Sequence, residues 1–280
     1  MRFKDLIIVT KPGIIFGNVL AAAAGWAVGG GRSVQQLLAL VVGTSLVIAG
    51  ACVVNNYLDR KLDVHMTRTA KRITATGILD GRVAALYAGI LFAAGIAILL
   101  WGTNITVVII GVLGALLYDT AYTLSKPRTH HATLIGTIPG ATPPLAGYVA
   151  ATGHFDAVAW LLFAAMAAWQ MPHFYAIALR RQKEYAKAGV PLLPIVKGQA
   201  RTLLEMRVYG ALFAVLSVWS ARFAGLPSWS ILLIFALALY WLVALAAPFS
   251  KGYAGRAFGR SLLVMMGSHV VMFIPGLMAN

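Results

Sequence analysis

Asn55, Asp59 and Asp63 carry three oxygen-bearing side chains spaced four residues apart in a chain of 280 residues. On a helix that spacing stacks them on one face over two turns. Two carboxylates placed this way repel each other unless a hard divalent cation sits between them. Magnesium prefers oxygen ligands and is held by one or two carboxylates together with substrate phosphates. The Asn55 carbonyl adds a neutral oxygen to that set. Arg60, Arg68, Lys71 and Arg72 follow in the same stretch, and guanidinium forks and ammonium groups match phosphate oxygens. Carboxylates for a metal and cations for phosphates describe a site for a diphosphate with Mg2+. The plainer reading is a solvated loop laced with salt bridges. It loses ground because the three residues end an apolar run, and ionisable groups at membrane depth are functional by default.

The elements that position these residues must be membrane helices. The chain is 60% hydrophobic and 11% charged, with 23 Lys and Arg against 8 Asp and Glu. Soluble domains carry about 25% charged residues. A disordered chain would be far less apolar, and one soluble core could not hide this much apolar surface. The single cysteine, Cys52, excludes a disulfide scaffold and is read as a packing residue. Segments of about 20 apolar residues fall near 12–30, 36–57, 83–101, 104–123, 133–151, 157–178, 208–226, 229–248 and 259–279. With the N-terminus inside, every Lys and Arg except Arg32 and Arg222 lies at the inner face. That asymmetry is the positive-inside rule, and it explains the net charge of +15 without a nucleic-acid partner. The expected fold is all-α: nine transmembrane helices in one bundle, a single domain over 1–280, N-terminus inside and C-terminus outside.

A diphosphate site at the inner surface, opening into an apolar bundle, suits a diphosphate head with a hydrocarbon tail. That describes an isoprenyl diphosphate. Metal-assisted loss of diphosphate would leave an allylic cation, and the bundle would exclude water until an acceptor attacks. A transporter of an anionic lipid or metabolite is a competing class, but it predicts polar residues near mid-membrane. Here they cluster at the inner ends of spans.

The Asn55-x-x-x-Asp59-x-x-x-Asp63 pattern resembles the first aspartate-rich motif of the UbiA-type intramembrane prenyltransferases. The fuller string, Asn55-Asn56-Tyr57-Leu58-Asp59-Arg60 through Met66, Arg68, Thr69 and Arg72, is similar to one branch, the protohaem IX farnesyltransferases. Further stretches agree in matching order: Thr10-Lys11-Pro12 with Gly17-Asn18, Leu134-Ile135-Gly136 through Gly147, Trp169-Gln170-Met171-Pro172-His173-Phe174-Tyr175, and Pro191-Leu192-Leu193-Pro194-Ile195-Val196-Lys197-Gly198. This resemblance covers about residues 10–200 and is weak in the last three spans.

The resemblance implies transfer of a farnesyl group from farnesyl diphosphate to a vinyl group of haem b, with water addition. It also implies a bacterial inner membrane, a cytoplasmic active site, and a haem-A synthase or terminal oxidase as assembly partner. Asn55, Asp59 and Asp63 would hold Mg2+; Arg60, Arg68, Lys71, Arg72 and Lys126 would neutralise the diphosphate; His173 and Trp169 would contact the haem. The chain departs from the superfamily where a second aspartate-rich motif is expected. That region offers only Glu184, read either as a second metal ligand or as a salt-bridge partner of Lys187. Two intact motifs would instead favour an aromatic, quinone-precursor acceptor.

Other residues stay open at this level. Asp119 either pairs with Lys126 or Arg128 or assists the site. Tyr118 and Tyr122 line the prenyl channel or simply pack. Trp160, Trp229 and Trp241 suit an interfacial belt. His65 meets diphosphate or solvent, His130 and His131 are interfacial, and His154 and His269 are bland. No His/Cys cluster has structural zinc spacing.

Overall fold

The computed structural model describes residues 2–278, and among them every regular element is a helix. In chain order these are α1 (Phe3–Val9), α2 (Pro12–Val28), α3 (Val34–Leu58), α4 (Arg60–Asp63), α5 (Gly81–Gly102) and α6 (Ile105–Leu117). A π-helical segment, Tyr118–Tyr122, joins α6 to α7 (Thr123–Ser125). Then come α8 (Ala132–Gly140), α9 (Thr142–Thr152), α10 (Ala157–Arg180), α11 (Gln182–Lys187) and α12 (Leu193–Val196). The chain closes with α13 (Gly198–Phe223), α14 (Ser228–Ala246) and α15 (Tyr253–Met278).

Side-chain caps mark several helix starts at short connections. Ser33, Asp80, Asn104 and Asp156 each accept a hydrogen bond from a backbone N–H of the first turn. These are the small polar residues that satisfy helix N-termini.

Among the described residues seven helices are long and apolar enough to cross a membrane: Val34–Leu58, Gly81–Gly102, Ile105–Ser125, Ala157–Arg180, Gly198–Phe223, Ser228–Ala246 and Tyr253–Met278. An eighth candidate is the pair α1 and α2, bent by 51° at Thr10–Lys11. The ninth expected span, 133–151, is instead two short helices meeting at Ala141. Pro143 opens α9 and has no N–H to give the Pro139 carbonyl; the Thr142 hydroxyl donates there instead, at 2.8 Å. Gln170 donates to the Thr137 carbonyl at 3.1 Å, and a side chain at Gly140 would collide with that amide. Broken backbone is tolerated at membrane depth when neighbours satisfy its polar groups in this way. The last expected span reached residue 279, outside the described residues.

The core combines large buried side chains such as Trp26, Trp241 and Tyr253 with close backbone approach at glycines. Gly43 and Gly95 let α3 and α5 meet backbone to backbone, and Gly25 and Gly147 do the same for α2 and α9. In lipid, where apolar surface gains little from leaving the solvent, such small-residue contacts drive helix association. Trp241, expected in the interfacial belt, is fully buried and donates to the Ala257 carbonyl. It packs edge-on against Phe213, so its helix turns this face inward. Trp160 and Trp229 are exposed.

A Cβ at Gly147 would overlap the Ala22 carbonyl, whereas one at Gly89 would meet nothing. Gly147→Ala is expected to cost about 1–3 kcal/mol through overpacking, read as a lower unfolding midpoint in detergent. Gly89→Ala should leave the midpoint unchanged or slightly raised.

Candidate active site

α3 ends at Leu58, yet its register continues through Asp59 into α4. The Asp59 N–H donates to the Asn55 carbonyl and the Asp63 N–H to the Asp59 carbonyl, both at 2.9 Å. Asn55, Asp59 and Asp63 therefore share the face that their spacing predicts. Asn55 is fully buried and Asp63 is 2% exposed.

Each member of this face is met by a group from a distant segment. Lys126, just beyond α7, reaches the Asp59 carboxylate at 2.6 Å, and Arg72 reaches Asp63 at 2.8 Å. Lys11 donates to the Asn55 side-chain carbonyl at 2.5 Å and to the Tyr118 hydroxyl at 3.4 Å. The Tyr118 hydroxyl donates to the same Asn55 oxygen at 3.3 Å, and the Asn55 amide donates to Thr123 at 2.7 Å. Lys126 also lies over the Tyr122 ring, 4.6 Å from its centroid. Burial alone would lower the Lys126 ammonium; the adjoining Tyr122 and Asp59 outweigh it and hold the group above the ordinary lysine range. Tyr185, in α11 and in the field of Lys126 and Asp59, is pushed up chiefly by burial.

Local structure explains how these partners arrive. Residues 64–80 fold over the end of α3 because Ile73 and Leu79 pack with Val9, Val53, Ala84 and Ala88. Thr69 ties that segment back to the Asp63 carbonyl at 3.1 Å, which aims Arg72 inward. The π-helical turn brings Tyr118 to Asn55, and such bulges often sit at functional sites. Lys11 is the one non-glycine with positive φ among the described residues, at 57°. That strained backbone at the α1–α2 bend is retained where the Lys11 side chain is fixed on Asn55.

The remaining predicted residues divide. Arg60 stacks on the Tyr57 ring at 4.0 Å and donates to the Tyr57 carbonyl, and Arg68 and Lys71 are exposed beside the cluster in sequence. Glu184 pairs with Arg181 at 2.7 Å, not with Lys187; three residues on a helix place Arg181 and Glu184 side by side. Asp119 makes neither expected ion pair, because Lys126 is committed to Asp59. His173 and Trp169 are buried on α10 and stacked at 4.7 Å. Ser261 of α15 binds both, its hydroxyl at 2.7 Å from His173 Nδ1 and its carbonyl at 2.9 Å from Trp169 Nε1. Among the described residues no hydrogen bond or ion pair joins them to the Asp59–Asp63 cluster. With Nδ1 engaged, Nε2 is the nitrogen His173 has left for a ligand.

Sequence reasoning placed Lys11 at the inner face but not in the site. Its signal was a lone cation immediately before the proline that opens an apolar helix. Among the described residues no three His, Cys, Asp or Glu side chains converge. The donor set is two carboxylates and an amide oxygen, each already facing a cation or a donor. That all-oxygen chemistry fits Mg2+, whose remaining positions water and phosphate supply.

Residues 16–267 match the model of the UbiA prenyltransferase family. "Protoheme IX farnesyltransferase 2" of Pseudomonas paraeruginosa is 39% identical, over 98% of this chain and 95% of its own. "Protoheme IX farnesyltransferase" of Salmonella choleraesuis is 36% identical over 100% of this chain and 97% of its own. The likeness thus runs on through the last three spans. A solved structure described as digeranylgeranylglyceryl phosphate synthase superposes with a TM-score of 0.79 at 18% identity, covering 98% of both chains. A UbiA homologue from Archaeoglobus fulgidus, bound to GPP and Mg2+, gives 0.69 at 17% identity, covering 96% of this chain and 99% of its own.

Removing one partner of a buried pair is costly because the other charge stays buried. Arg72→Met, which strands Asp63, is expected to destabilise by about 3–5 kcal/mol, measured as a drop in unfolding midpoint. Adding Asp63→Asn to that variant should recover most of the loss, a coupling read from the double-mutant cycle.

Proposed function

Because the chain belongs to the UbiA prenyltransferase family, we propose that it transfers the farnesyl group of farnesyl diphosphate to a vinyl group of haem b. Water adds to the product and diphosphate leaves. The observation that carries this reading is the paired layer at the end of α3. Two carboxylates and an amide oxygen four residues apart are each met by a side chain able to turn to phosphate. The haem acceptor rests on the relatives named above. The single aspartate-rich face, with Glu184 tied to Arg181, speaks against the two-motif arrangement expected for an aromatic acceptor.

Asn55, Asp59 and Asp63 would hold Mg2+, which when bound supplies Lewis-acid assistance to the departure of diphosphate. Lys126, Arg72 and Lys11 are released from these oxygens as phosphate arrives and take up its charge, with Arg60, Arg68 and Lys71 along the same stretch. The allylic C–O bond then breaks with its electron pair on diphosphate. The apolar bundle excludes water from the resulting cation until the haem vinyl group attacks. His173, through Nε2, and Trp169 are the candidate contacts for the macrocycle.

The 280 residues act as one domain. α8 and α9 together make the ninth crossing, with the N-terminus and the active site cytoplasmic, the C-terminus outside, and the protein integral to the bacterial inner membrane. The product passes to a haem-A synthase or terminal oxidase.

Membranes containing the protein, incubated with haem b, farnesyl diphosphate and Mg2+, should yield haem carrying the farnesyl and hydroxyl additions. Chelation should stop the reaction and Mg2+ restore it. Asp63→Asn should lower turnover on the order of 100-fold, the scale of losing one preorganised contact to developing charge. An unprenylated haem beside another, prenylated acceptor would replace the haem reading.

Orientation has its own test. Cys52 is 1% exposed, so an introduced cysteine reports alone. An impermeant maleimide should label Ser228→Cys in intact cells and Thr67→Cys only after permeabilisation.

A further inference from the structure

The chain has eight carboxylates, and seven have visible partners. Asp5 pairs with Arg2, Asp59 with Lys126, Asp63 with Arg72, Glu184 with Arg181 and Glu205 with Arg201. Asp80 and Asp156 cap helices. Among the described residues the Asp119 side chain makes no hydrogen bond or ion pair, and its Oδ1 is buried. A buried acceptor without a donor keeps the full penalty of leaving water, so such an atom calls for an explanation.

Its position supplies one. α3 and α6 run side by side in register, with Asp59 against Lys126 and Asn55 against Thr123. One turn further back, Asp119 lies at the level of Cys52, which is its electrostatic neighbour. The ionisable groups around it are Lys11, Lys126 and Asp59, with Cys52, Tyr118 and Tyr122. Lys11 and Lys126 are already committed to Asn55, Tyr118 and Asp59. Cys52 and Tyr122 carry donors too, but neither donates to Oδ1, which leaves that atom open to a water molecule. Asp119 therefore sits on the membrane-interior side of the diphosphate layer, where the hydrocarbon tail and the reacting carbon belong.

We propose that Asp119 holds the water that ends the reaction and accepts its proton. This rests on the haem prenylation argued above. After the vinyl carbon bonds to farnesyl C1, the adjacent carbon bears the positive charge. The water oxygen forms a C–O bond to that carbon, an O–H bond breaks with its electron pair kept on oxygen, and the proton goes to Asp119. In an otherwise apolar bundle a water needs a polar holder. Without it the cation loses a proton from the neighbouring carbon and becomes an alkene.

The test is product analysis of Asp119→Asn, run with haem b, farnesyl diphosphate and Mg2+ in 18O-labelled water. The expected result is diphosphate release within about tenfold of the parent, with haem product shifted toward the species lighter by one water. Asp119→Glu should restore labelled hydroxylated product in part. Hydroxylated product at the parent's proportion, or loss of diphosphate release in a variant that accumulates and unfolds normally, would overturn the proposal. If Asp119→Asn does not accumulate, Asp119→Ala is read the same way. Failure of the parent itself to prenylate haem, or to take up the label, would instead overturn the reaction assigned above.

Discussion

Charge placed at the mouth of an apolar bundle must be balanced both before and after substrate arrives. The Asp59–Lys126 and Asp63–Arg72 pairs balance the two carboxylates within the chain itself. The effective penalty for desolvating each ion is several kcal/mol, and the Asp63 side chain is only 3% exposed. Pairing offsets part of that penalty, and on the proposed reading it holds the cations within reach of the incoming phosphate.

Much of the architecture serves to deliver those cations. Arg72 depends on the small core formed by Ile73 and Leu79 with α3 and α5. Lys126 depends on α6 lying alongside α3, and the π-helical turn brings Tyr118 within 3.3 Å of Asn55. Lys11 depends on the 51° bend that ends α1. Around these the bundle closes through glycine contacts, which hold helices at fixed spacing with little side-chain freedom. The break at Ala141, sealed by Thr142 and Gln170, lets a proline-rich stretch cross the interior with its carbonyls satisfied.

What could be read from the sequence follows from the range of the interactions. Asn55, Asp59 and Asp63 are linked by helical period, a local property, and the structure keeps them on one face. Seven long apolar helices were equally legible because hydropathy is local too. The partners were not. Asp59 and Lys126 are 67 residues apart and Lys11 and Asn55 are 44 apart, and nothing in either neighbourhood encodes the match. Tyr118 and Tyr122 read at i, i+4 as either channel-lining or packing, and only the structure shows Tyr118 bonded to Asn55. Trp241 read as a belt residue because composition does not tell an inward face from an outward one. The span drawn over 133–151 is broken into α8 and α9 at Ala141, a break that hydropathy, averaging over the prolines, does not show.

The cations left over after pairing carry the argument a step further. Lys126 and Arg72 are matched by carboxylates, while Lys11 bonds only the neutral Asn55 and Tyr118. Arg60, Arg68 and Lys71 form no ion pair within the described residues. A basic surplus this close to a desolvated layer raises self-repulsion. On the proposed reading it becomes favourable once a polyanion with its metal enters, because the same cations then face phosphate rather than one another. The layer would then be built around the charge of its ligand, with its carboxylates holding it together until that ligand comes.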